Sequence, residues 1–144
     1  MEKITREQFL DCLQTLWLPY PGLFNGLPAL EQEAFLKKQG YARLGDLLAH
    51  IIAWWQDGER FVEALRINPG LPLPEFDVDA FNAQAVAKFG GFSDSELIQA
   101  YKMQRRAMVS LVEGLSGAEL DIDKINKRLY YEIISHWTEH ELNG

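Results

Sequence analysis

Between Leu44 and Leu65 the chain sets Leu44, Leu47, Leu48, Ile51, Trp54, Trp55, Phe61, Val62 and Leu65 at helical spacing, which makes one broad apolar stripe on a long helix. A helix with so wide a stripe is a core helix, and its apolar face has to be covered by other elements. The flanking sequence supplies further helices. Thr5-Arg-Glu-Gln8 is a capping box, with Ile4 and Phe9 at the spacing of a hydrophobic staple, so a first helix starts at about Arg6. It carries Phe9, Leu10, Leu13, Leu16 and Trp17 inward until Pro19 and Pro21-Gly22 stop it, and a loop runs on to about Gly26. Pro28 suits the first turn of a short helix through Ala34, Phe35 and Leu36, closed by Lys37, Lys38 and Gly40. Gly58, inside the long stripe, marks either a close helix crossing or a weak point.

Asn68 to Glu75 is a proline-punctuated connection long enough to pass along the body of the fold and shape a pocket mouth. Asp77 or Asp79 caps a shorter helix through Phe81, Val86 and Phe89, which ends at Gly90-Gly91. Ser93-Asp-Ser-Glu96 is a second capping box, opening a helix with Leu97, Tyr101, Met108, Leu111 and Val112 on one face and a stop near Gly114 to Gly117. The last helix begins near Asp123 and turns Leu129, Tyr130, Ile133, Ile134 and Trp137 inward. No segment alternates as a strand does. The class is all-α: four long helices and two short ones, with connections that permit a crossover, suggest a four-helix bundle forming a single domain over residues 1–144.

Charge and cysteine usage exclude several function classes. A net charge of −7, with 14 Lys and Arg that form no dense run, argues against a nucleic-acid partner. Cys12 is the single cysteine, so no internal disulfide calls for an oxidising compartment, and the default location is cytoplasmic. Lacking a histidine or basic neighbour in sequence, Cys12 reads as a buried structural thiol. The N-terminus has no apolar signal core, and no apolar run is long enough to span a bilayer, so no membrane segment is expected. Arg105 and Arg106 read as a solvated face.

The chain holds three histidines, and two of them, His136 and His140, stand four residues apart on the last helix, which stacks both rings on one face. The third, His50, sits on the shoulder of the long stripe, with Asp57 on the same shoulder two turns on. Two imidazoles from one helix and a third from a neighbour form an open zinc or nickel site, with a further position left for water or substrate. The plainer reading is a hydrogen-bonded boundary His50 and a solvated pair on a terminal helix. Ring nitrogens within about 4 Å of one another would decide for the metal, because zinc holds each nitrogen at about 2.0–2.1 Å. Asp57 is a candidate for orienting His50, for a fourth ligand, or for a solvated carboxylate. Glu139 points away from the stripe and reads as surface, while Trp54, Trp55 and Trp137 are mostly core by spacing.

Gly45-Asp-Leu-Leu-Ala-His50-Ile-Ile-Ala-Trp54 resembles the second-helix motif of the DinB-like superfamily, and His136-x-x-x-His140 resembles its last-helix ligand pair. The insert before Ser93, with Phe81-Asn82 and Phe89, and the Ser93-to-Leu115 helix are similar to those of its ClbS/DfsB branch. The resemblance covers about Leu44 to Glu141; the region from Trp17 to Gly40 matches less well. It implies a left-handed four-helix bundle with a crossover and a divalent metal held at His50, His136 and His140. Some relatives lack one or more of these histidines, whereas this chain has all three. It also implies a metal-dependent hydrolase or thiol transferase, in a branch that includes a protein destroying a reactive genotoxin by opening a strained ring. Family helices commonly run beyond the position of Gly144, so a frayed last turn near Gly144 would weaken the site.

The expectation is therefore a metal-dependent enzyme with a small electrophilic or apolar substrate. The alternative is a non-catalytic bundle, binding a small apolar molecule or acting as a homodimer through leftover apolar helix faces.

Overall fold

The computed structural model describes residues 2–142. Every regular element among them is helical: α1 (Arg6–Asp11), a π-helical stretch (Cys12–Trp17), α2 (Tyr20–Asn25), α3 (Ala29–Gln39), α4 (Leu44–Ile67), α5 (Val78–Phe89), α6 (Asp94–Gly114), α7 (Gly117–Leu120), α8 (Asp123–Leu129), a second π-helical stretch (Tyr130–Ser135) and α9 (His136–His140). The local signals act as their chemistry requires. Thr5 and Ser93 each close a reciprocal capping box, with Gln8 and Glu96 respectively. Asp77, not Asp79, caps α5, accepting the Ala80 N–H at 3.1 Å. Gly40 ends α3 with φ 87°, a left-handed conformation open to glycine at little cost.

Two short elements depart from expectation. The stretch after Pro19 is no open loop but α2, whose second residue is Pro21; proline suits a first turn because its missing N–H would have no partner there. Ser116 and Glu119 form a third capping box, which starts α7 where a simple stop was expected.

α4 packs most extensively against α6 and also meets α3, α5 and α8. The N-terminal run from Arg6 to Trp17 lies against α6 and the second π-helical stretch. Trp17, Tyr20, Leu47, Ile51, Trp55, Leu65, Leu97 and Tyr101 are wholly enclosed in one core. Gly58 marks a close crossing, because a Cβ there would stand 2.9 Å from Glu132 Cγ. Arg105, expected on the surface, is buried and donates to the Leu13 carbonyl at 3.3 Å, so it links α6 to the first π-helical stretch. Cys12 is buried as expected; burial pushes its thiol up to about 12, which removes it as a nucleophile. Among the described residues no helix is long and apolar enough to cross a membrane.

Candidate metal centre

Two π-helical stretches meet at the core, and the second delivers the C-terminal histidines. Along Tyr130–Ser135 the wider turn is braced by indoles: Trp55 Nε1 donates to the Glu132 carbonyl at 2.8 Å and Trp17 Nε1 to the Ile133 carbonyl at 2.8 Å. Short helical ends normally leave carbonyls unpartnered. At α9 they are taken by distant side chains. Tyr20 Oη donates to the His140 carbonyl at 2.5 Å, and Gln39 Nε2 donates to the Glu139 carbonyl at 3.1 Å. The turn is therefore held through His140, with its rings towards α4; Asn143 and Gly144, where fraying would have weakened the site, lie outside the described residues.

His50, His136 and His140 are 7%, 5% and 6% exposed, too little for the solvated face that was the plainer reading. His50 Nε2 lies 3.1 Å from His140 Nε2 and 3.1 Å from His136 Nε2. One nitrogen from each ring falls within 4.8 Å of the other two. Two nitrogens on one tetrahedral zinc, each at about 2.0–2.1 Å, stand about 3.3–3.4 Å apart, so the His50 pairs are already close to ligating separation.

The hydrogen bonds behind the rings fix where the protons are. Trp54 Nε1, which can only donate, points at Asn82 Oδ1 at 2.7 Å, so the atom there is the amide oxygen. His50 Nδ1 faces the same oxygen at 3.0 Å and must donate to it, which leaves Nε2 with a bare lone pair. Gln39 Nε2 is committed to the Glu139 carbonyl, so Gln39 Oε1, 2.7 Å from His140 Nδ1, accepts from that ring. His140 Nε2 is then a lone pair too. Two acceptors face each other at 3.1 Å with no proton between them. A proton on His136 Nε2 can serve His50 but leaves His140 opposed, whereas a cation shared by the three satisfies all of them. His136 Nδ1 is enclosed without a hydrogen bond, and Glu132 Oε1 stands 3.9 Å from it.

Charge agrees with this assignment. Burial lowers His50 to about 4, against a smaller upward pull from Asn82. Burial, with His50 as a second cause, lowers His140 to about 3. Burial and the two neighbouring imidazoles hold His136 well below the ordinary range. All three are neutral bases at pH 7. The three imidazoles fit a divalent ion; among the described residues they are the only group of histidine, cysteine and carboxylate side chains placed to do so.

Asp57 takes another place. Its Oδ2 accepts from Arg128 at 2.7 Å and its Oδ1 pairs with Arg60 at 3.6 Å, while the support of His50 comes from Asn82. Arg128 Nε also donates to Glu132 Oε2 at 2.8 Å, so Asp57 reaches the centre only through Arg128 and Glu132, behind His136. Sequence reasoning did not single out Asn82, Gln39 or Glu132 as supports. For Glu132 a signal existed: Arg128, Glu132, His136 and His140 recur every fourth residue. Asn82 and Gln39 lie on other helices and only folding brings them in.

Compared with known proteins, the chain matches no family description, no curated protein and no solved structure.

Proposed function

We propose that the chain forms a DinB-like four-helix bundle of the ClbS/DfsB kind and acts as a metal-dependent hydrolase or thiol transferase on a small electrophilic or apolar substrate, in detoxification or self-protection. The long stretches Arg6–Trp17, Leu44–Ile67, Asp94–Gly114 and Asp123–His140 supply the four helices, and residues 68–93 supply the crossover. The observation that carries the reading is the convergence of three buried, neutral imidazoles, two of them locked with their Nε2 lone pairs facing at 3.1 Å. An all-nitrogen set of three imidazoles suits zinc or nickel.

When bound, such an ion supplies Lewis acidity and lowers the pKa of water or a thiol brought to it. The chain's own residues do the rest. Asn82 and Gln39 hold two rings in the required tautomer, and the π-helical turn, braced by Trp17 and Trp55, sets His136 against them. Trp17 and Tyr41 stack beside His136 and His50 and keep bulk water from those sides.

Activity is tested with zinc- and nickel-loaded protein on activated esters and strained-ring electrophiles, with and without a low-molecular-weight thiol. Turnover by the loaded protein that is lost in His136→Ala supports the reading. Ligand binding or a cellular phenotype that survives His136→Ala would favour the non-catalytic alternative.

A further inference from the structure

A recess of about 550 Å³ opens between α4, α8, the second π-helical stretch and the segment leading to α5. That is within the about 300–1,000 Å³ range of small-molecule sites. Its walls are aromatic. Trp54 and Phe76 line it with ring centroids 5.0 Å apart, and the Arg128 guanidinium lies over the Phe61 and Phe76 rings at 5.5 and 5.6 Å. Phe81 backs Trp54 at 4.1 Å and fixes the indole plane. Such edge-on and tilted faces accept a flat ring.

The recess touches the centre at two points. Trp54 donates to the Asn82 oxygen that also takes the His50 proton, and Glu132, one wall of the recess, stands behind His136. Its charge runs against that of the chain. In a protein of net charge −7, the mouth gathers Lys124 and Lys127 beside Arg128. Arg128 is balanced by Asp57 and Glu132, and Lys127 by Asp123 at 3.1 Å, whereas the Lys124 ammonium is held by a neutral group, the Leu71 carbonyl. Asp57 lies outside the recess and is shared with Arg60, so the lining sets three cations, Lys124, Lys127 and Arg128, against two carboxylates, Asp123 and Glu132, over an apolar, aromatic floor.

We propose that this recess is a binding site for a small molecule with a flat apolar ring and an anionic group, the ring against Trp54 and Phe76 and the anion towards Lys124 and Lys127. As a substrate class it rests on the small-molecule reading above, but the binding itself does not need the metal.

The test uses fluorescence titration of chelator-treated full-length protein with anilinonaphthalene sulfonate and with its uncharged relative phenylnaphthylamine. The sulfonate is expected to bind one site, about tenfold more tightly than the neutral probe. Phe76→Ala removes a half-exposed wall residue outside the core, so the protein folds and both probes weaken, by about tenfold. Lys127→Glu should weaken the sulfonate alone. Leu23→Ser, in a separate apolar groove beside Trp137, should change neither. Equal affinity for the two probes, no binding, or binding indifferent to Phe76→Ala would overturn the proposal. Metal uptake measured on the same samples separates the two readings: failure of the histidine centre appears there and leaves the probe results standing.

Discussion

The C-terminal helical run carries two buried polar clusters, built on opposite principles. At Arg128 every charge has its counter-charge: the guanidinium lies between Asp57 and Glu132 at 2.7 and 2.8 Å, with Phe61 and Phe76 on its faces. At His136 and His140, about two and three turns on, three bases are gathered with no acid between them. A closed ion-pair cluster needs nothing further and acts as structure. Lone pairs held face to face by Asn82 and Gln39 are instead open to a cation. Burial alone does not separate the two; the proton inventory does.

Substitutions that exchange these roles are the strongest way to break the comparison. His136→Ala should lower metal affinity by more than the about 10–100-fold that loss of an outer hydrogen-bond partner costs, while changing denaturant stability of the metal-free protein far less. Calorimetric titration and a urea melt read the two quantities. Arg128→Met should do the reverse. It strands Glu132, leaves Asp57 only Arg60, and is expected to cost about 3 kcal/mol in unfolding free energy, with metal stoichiometry kept in the protein that remains folded. Asn82→Leu sharpens the assignment of support to Asn82: it frees the His50 ring and should weaken metal binding about 10–100-fold, whereas Asp57→Asn should leave it within about threefold.

The smallest effect expected is on pH dependence without metal. His50 and His140 titrate at about 4 and about 3 in the folded chain, below the ordinary 6.5. The unfolded chain therefore takes up their protons first, and stability falls as pH drops from about 6.5 towards those values. Glu132 runs the other way. Burial, outweighing Arg128, raises its carboxyl to about 7, so the stability tied to its proton is present below about 4.5 and lost as pH rises through about 7. With three histidines against one carboxyl, chemical denaturation of metal-free protein should show a net loss between about pH 6.5 and about pH 5. His50→Gln, which removes one of the titrating bases, should flatten it.

Much of this was legible in the sequence, because the signals are local. Capping boxes at Thr5 and Ser93, the apolar stripe of α4 and the left-handed Gly40 all depend on neighbours within a turn or two. The three histidines were legible because a spacing of four survives into α9. What was not legible is non-local. Asp57 was a candidate because it shares a shoulder of α4 with His50, and Arg128 across the helix crossing takes that carboxylate instead. Arg105 looked solvated because its partner, the Leu13 carbonyl, lies on another element. The two π-helical stretches have no sequence signature of their own; Trp17 and Trp55 donate into the second, and Arg105 and Tyr101 into the first. Gly58 was left open between two readings, and Glu132 Cγ decides it for close approach.

The central claim, that His50, His136 and His140 form a single metal centre, is tested most directly by titrating untagged, chelator-treated protein with zinc and with nickel while counting bound metal. The account predicts one equivalent per chain and a rise in melting temperature for wild type, with neither in His136→Ala. A wild-type chain that takes up no metal and melts at an unchanged temperature would contradict it.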